Sequence, residues 1–190
     1  MVSATIKQHT QEAHAGLEKI VVQKLKNIRD DADYAALLQY FYAYFAALED
    51  AIAPYITGEV LVDYVKRRKS GRLLADIEEL GADLNKHPDV TVPEINNAKQ
   101  AMGALYVMEG SVLGGTIIVQ MLAKAGITKG ISFFSGYGAD NGVMWKQFTT
   151  ALNQVAITPD EEQEVIDSAT ATFVNFKQVF VAEATAISQA

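Results

Sequence analysis

The sequence predicts an all-α fold, a single-domain helical bundle over residues 1–190, and three observations carry that expectation. Apolar residues recur at helical spacing. Alanine, leucine and glutamate are frequent while proline occurs only 4 times. No convincing run of alternating β-branched residues interrupts the pattern. A length of 190 residues suits one domain with a substantial core, and no repeat or low-complexity linker divides it.

A first helix starts near Ser3 and carries Ile6, Thr10, Ala13, Leu17 and Val21 on one side. Asp30 and Asp31 are good N-caps for a second, which runs past Leu37, Phe41, Tyr44 and Leu48 to Pro54. Its aromatic residues Tyr34, Tyr40, Phe41, Tyr42, Tyr44 and Phe45 surround most of the helix and read as core. Residues 61–69 and 72–84 read as shorter helices parted at Ser70-Gly71, and residues 85–93, with Pro88 and Pro93, as a loop. Residues 94–124 form a long helical stretch with a glycine-rich, kinked centre. Residues 126–142, with five glycines, read as a structured loop, and residues 143–155 as helix. Thr158, Pro159 and Glu161 supply a cap, an N1 proline and a capping-box acid for a last helix running to about Ser188.

The composition excludes several classes of function. With 16 basic against 23 acidic side chains and a net charge of −7, the chain is a poor partner for a nucleic-acid backbone. The absence of cysteine removes disulfides, thiolate zinc sites, iron–sulfur clusters, thiolate-ligated haem and cysteine nucleophiles. Three histidines make a multi-histidine cage hard to build, so any metal held here must need few protein ligands. Residues 1–7 lack the basic region of a signal peptide, and no apolar run follows. The uncharged stretch at residues 110–123 is about 14 residues, too short for a bilayer. No membrane partner and a cytoplasmic location are the expectation.

Three features could carry chemistry. His14 and Glu18 are four residues apart on the first helix and share a face. An imidazole held by a carboxylate is how a metal-ligating histidine is commonly oriented, though on spacing alone a weak surface pair is the commoner meaning. His9 lies about 140° around the helix from His14, and His87 reads as a solvated loop residue. Second, Gly103, Gly110, Gly114 and Gly115 sit inside a strong helical run, at a cost on the order of 4 kcal/mol relative to alanine. Gly103, Gly110 and Gly114 fall within about 40° on one stripe. That stripe accommodates either a closely packed helix or a planar ligand. Third, Lys66, Arg67, Arg68 and Lys69, with Arg72 beyond, form a basic cluster on an acidic chain. It reads first as a solvated helix end, and otherwise as a dock for an acidic redox protein. Nucleotide-binding glycine loops and the Glu-x-x-His pattern of di-iron bundles are absent.

Together these features resemble the heme oxygenase family in its bacterial, biliverdin-producing form. Ile6-Lys7, then Thr10-x-x-x-His14-x-x-Leu17-Glu18, resembles the proximal-helix motif. Tyr106-Val-Met-Glu-Gly110-Ser-Val-Leu-Gly114-Gly115 resembles the distal-helix motif, and Phe133-Phe-Ser-Gly-Tyr-Gly138 followed by Gly142-x-x-Trp145-x-x-Phe148 is similar to bacterial members. The likeness spans about residues 5–180 in matching order.

The resemblance implies haem as both substrate and cofactor, with its iron on His14 and Glu18 orienting that imidazole. Gly110 and Gly114 become the positions where backbone lies against the porphyrin, and Lys7 and Lys146 the partners of its propionates. Thr150 stands where some members carry a further basic residue. Ser111 stands where many carry an aspartate that organises proton delivery; a hydroxyl there can hold water by donating and accepting. The implied reaction is oxidative cleavage of haem to biliverdin, CO and iron with O₂. Electrons come from a donor protein such as a ferredoxin or reductase, and biliverdin is available to a phytochrome. A haem-binding or haem-carrying protein on the same scaffold is the alternative. A related helical fold acting on thiamine-type substrates is a third, and it wants a cysteine that this chain lacks.

Overall fold

The structure is a computed structural model that describes residues 1–84 and 88–187. His87 and Ser188, the expected solvated loop residue and final helix end, lie outside the described residues. The helices are α1 (Val2–His9), α2 (Gln11–Lys26), α3 (Asp31–Ile52), α4 (Gly71–Glu79), α5 (Ala98–Lys124), α6 (Ser132–Ser135), α7 (Asn141–Val155) and α8 (Pro159–Ile187). Single 3-10 turns cover Tyr64–Lys66 and Gly138–Asp140, and no strand occurs among the described residues.

Capping chemistry places several boundaries. The Asp30 carboxylate accepts the Asp33 N–H at 2.9 Å and starts α3. Asn97 accepts from Lys99 and Gln100, so α5 starts at Ala98 and not at residue 94. At α8 the predicted capping box forms: Glu161 N–H donates to the Thr158 hydroxyl, and the Glu161 carboxylate accepts from Ile157 and Thr158. Those backbone donors hold its carboxyl below the usual carboxylate range.

Three expectations need correction. The first helix starts at Val2 and divides at Thr10, whose φ of −91° and ψ of 0° leave the helical basin. Thr10 is buried and its hydroxyl donates back to the Ile6 carbonyl at 2.8 Å, a bond that competes with regular helix geometry. Residues 61–69 are not helical beyond Tyr64–Lys66: Arg67 is extended, with ψ of 150°, and the Arg68 N–H donates to the Tyr137 hydroxyl. Residues 72–84 shorten to α4, because Gly81 turns left-handed at φ 75° and Ala82 N–H caps the Ile77 carbonyl.

The core is aromatic where α3 meets α8 and the α6 turn. Phe41, Tyr44, Phe45, Phe133, Phe134, Phe176 and Phe180 are buried together, and Tyr44 stacks on Phe176 at 4.6 Å. The Tyr34 and Tyr44 hydroxyls donate to the Gly130 and Thr172 carbonyls, which satisfies both phenols where they are buried. α5 is an uninterrupted helix, so its glycines do not break it. By length and composition it could cross a bilayer, but half of its apolar window is buried within the fold.

α8 positions the site. α2 packs on it through the His14 ring against Phe173 and through Gly16 beside Lys177. α5 packs on it through Gly103, where an added Cβ would collide with the Val165 carbonyl. α2, which carries His14, and α5, which carries Gly110 and Gly114, therefore both pack on α8.

Candidate haem site

His14 lies on the open side of α2 with a side chain 56% exposed, and its ring touches Phe173 edge-on at 5.3 Å. Its Nδ1 is 3.8 Å from a Glu18 carboxylate oxygen, within ion-pair range but longer than a hydrogen bond. With Nδ1 turned toward Glu18, Nε2 is the ring nitrogen left to ligate a metal. No cluster of three acidic or histidine ligands exists among the described residues, so a metal here must arrive with most of its own ligands.

The glycine stripe divides into two jobs. Gly103 packs against α8 and Gly115 against the Phe134 carbonyl, and an added Cβ would clash with backbone at either. A shared role for Gly103, Gly110 and Gly114 is thereby corrected: helix packing accounts for Gly103 only. At Gly110 a Cβ would meet only the edge of Trp145, at 3.8 and 3.9 Å, and at Gly114 nothing lies within 4 Å. Leu113 and Ile117, on the same side of α5, are 55% and 63% exposed. Gly110, Leu113, Gly114 and Ile117 thus form a flat apolar strip, bordered by Trp145 at Gly110 and open from Leu113 to Ile117.

Behind Gly110 lies a buried polar cluster that the basic run conceals. Arg67 and Arg68 are not a solvated helix end: they are 3% and 1% exposed. Arg67 forks onto Asp63 at 2.8 and 3.0 Å and reaches Glu109 at 2.5 Å. Glu109, itself 1% exposed, also accepts from the Tyr137 hydroxyl at 2.9 Å. Arg68 donates to the Phe133 and Met108 carbonyls and to the Ser111 hydroxyl, and its guanidinium lies 3.8 Å from the Phe133 ring centroid. Burial lowers the Arg68 pKa to about 10, and burial together with Glu109 pushes Tyr137 up to about 12.

This arrangement changes the reading of Ser111. Its hydroxyl donates to Met108 at 2.6 Å and accepts from Arg68 at 2.6 Å. Its one proton is committed, so it offers a further partner only a lone pair. Sequence reasoning missed the cluster, although one signal was present. Glu109 is a lone carboxylate among apolar residues, and a buried carboxylate demands a cation.

Lys7 and Lys146 are exposed and form no ion pair among the described residues. They sit on α1 and α7, which are joined where Ser3 and Asn153 hydrogen-bond at 3.0 and 2.8 Å. Lys7 is one turn from Ser3 and Lys146 two turns from Asn153, so each shares a helix side with the residue that joins the two helices. A cavity of about 290 Å³ beside Lys146 is lined by Glu59, Asp63 and Thr150.

An apolar strip open beyond Gly110, an exposed imidazole, and two free lysines fit a flat anionic ligand that brings its own metal. Solved structures share this all-helical fold. The NO- and CO-bound heme oxygenase from Neisseria meningitidis has a TM-score of 0.80 at 21% identity, covering 96% of this chain and 91% of its own. The heme oxygenase from Leptospira interrogans has a TM-score of 0.76 at 19% identity, covering 95% and 98%. In sequence, a heme oxygenase from Xanthomonas campestris pv. campestris (strain 8004) is 29% identical over 168 residues, 86% of this chain and 99% of the relative. The sequence profile described as Heme oxygenase matches residues 1–182, and the chain belongs to the heme oxygenase family.

Proposed function

We propose that this chain binds haem between α2 and α5 and cleaves it, with O₂ and reducing equivalents, to biliverdin, CO and iron. The observation that carries this reading is the pair Gly110 and Gly114, where no close backbone packing calls for a glycine. A Cβ would meet only the Trp145 edge at ordinary contact distance at Gly110, and nothing within 4 Å at Gly114. When bound, haem supplies the oxygen-activating iron and the ring carbon that is oxidised.

The chain's residues supply position and electrostatics. His14 Nε2 would hold the haem iron, with Glu18 biasing the orientation of its ring. Lys7 and Lys146 attract the two carboxylates, and Thr150, neutral at the foot of Lys146, adds no third charge. Gly110 and Gly114 let the ring approach the α5 backbone. Ser111 presents a lone pair backed by the Arg68 cation, so a proton carrier at the distal face meets an acceptor held beside positive charge. An electron-donor protein such as a ferredoxin or reductase completes the reaction in the cytoplasm, and the biliverdin released is available to a phytochrome.

Hemin addition with a reducing system tests this directly. Loss of the Soret band with growth of a biliverdin band is expected. A haem complex whose spectrum stays unchanged over many minutes would favour the carrier alternative and remove the enzymatic assignment.

A further inference from the structure

We propose, resting on the porphyrin reading of the α2–α5 groove, that Trp145 is a positioning residue. It is a wall that fixes how far the ring slides along α5 and which ring edge meets the distal face. Trp145 is the chain's only tryptophan. Whatever rests on the Gly110 backbone also touches the benzo edge of this indole, because a Cβ there would lie 3.8 Å from Cη2 and 3.9 Å from Cζ3. At Gly114, one turn on, nothing lies within 4 Å. The platform is therefore bounded at one end and open at the other.

The wall is held from both helices. The indole packs against Phe148 at 5.7 Å, and Phe148 is fully buried under the Arg67 guanidinium. It also packs against Tyr106 at 5.6 Å, and Tyr106 lies one turn before Gly110 on α5 itself. Swinging the indole aside would give up both contacts, so it behaves as a fixed stop. The edge it turns to Gly110 is hydrocarbon, whereas Lys7 and Lys146 are exposed cations with no ion pair among the described residues. A porphyrin with carboxylates on one side only is sorted by that contrast: apolar substituents go to the indole and propionates to the lysines. Turning the ring by a quarter would change which meso carbon stands over the strip, so the same stop governs the isomer of the product.

The experiment uses the intact protein with zinc protoporphyrin, read by the indole N–H resonance, which the single tryptophan makes unambiguous. Porphyrin ring currents fall steeply with distance, so a clear shift of that resonance on binding is expected. In the hemin–cyanide complex, the wild type should show one dominant set of haem methyl resonances. Trp145→Ala should show at least two sets and a mixed biliverdin product, and Trp145→Phe should be intermediate with an unchanged far-ultraviolet spectrum. An indole signal that stays put while the Soret band reports binding overturns the wall, as does a Trp145→Ala complex with the wild-type orientation ratio. Failure of any Soret complex to form overturns the porphyrin reading itself.

Discussion

Replacing Gly114 by alanine should make the ligand-free protein more stable and the haem complex weaker. Gly114 is in the interior of α5, and an added Cβ meets nothing within 4 Å. The substitution therefore gains the full helix-propensity difference, about 1 kcal/mol. For a chain of this size that raises Tm by roughly 2–4 °C. The same methyl projects from the uncovered strip and holds a flat ligand off the backbone. Overpacking of this kind costs about 1–3 kcal/mol, or roughly 5- to 150-fold in affinity. Gly103→Ala is the control. It gains the same propensity term but collides with the Val165 carbonyl and comes within 3.1 Å of Ser168 Cβ, so it should be destabilising, by about 1–3 kcal/mol. Thermal melts by circular dichroism and hemin titrations at the Soret band measure both effects. If Gly114→Ala lowers Tm, or raises it while hemin affinity is unchanged, the division of the glycines into packing and platform is wrong.

His14→Ala should cost the fold little, about 0.5–1.5 kcal/mol, because the side chain is more than half exposed and gives up only its edge contact with Phe173. It should abolish the ferric axial-ligand spectrum, and a wild-type-like spectrum would place the ligand elsewhere. Glu109→Ala strands the Arg67 charge and the Tyr137 hydroxyl, so urea denaturation should show a loss of about 3–5 kcal/mol. A loss near zero would show that the cluster does not anchor α5. Alkaline pH should destabilise the fold. Tyr64 and Tyr137 are raised to about 12, chiefly by burial, and Tyr34 and Tyr44 are raised further. An unfolded phenol titrates near 10. Between about pH 10 and 12 the unfolded state therefore loses protons that the native state keeps. The stabilisation is intact below pH 10 and falls as pH rises. A Tm that stays flat across that window, with no step in phenolate absorbance at unfolding, would contradict it.

The sequence made the local features legible and hid the long-range ones. Asp30 and the 158–161 box act through donors three or four residues away, so their roles follow from spacing alone. Asn97 caps at the same short range but is not singled out by a pattern that reads helix from residue 94. His14 and Glu18 share a face for the same reason. The Arg67–Glu109 pair spans 42 residues and Arg68–Ser111 spans 43, and no periodicity encodes either. A run of four basic residues looks solvated until its acceptors are known, and here those acceptors are carbonyls and a carboxylate on α5 and α6. The glycine stripe was half legible. Spacing shows which glycines share a side, but whether a neighbouring backbone occupies that side depends on α8 and on the turn at Phe134.

The buried cluster also divides α5 by local stability. Up to Ser111 the helix is tied by Glu109, the Met108 carbonyl and its contacts with α8, so its amides should exchange with solvent only on global unfolding. Beyond Ser111, Leu113, Gly114, Thr116, Ile117 and Gln120 are exposed, while Val112, Gly115 and Leu122 hold the opposite side of the helix to the fold. Amides on the exposed side open at lower free energy, and a ligand seated on Gly110 and Gly114 would cover them. One face of α5 beyond Ser111 is thus the part of the helix a ligand would newly cover, and slowed exchange confined to residues 113–120 would report binding before any chemistry begins.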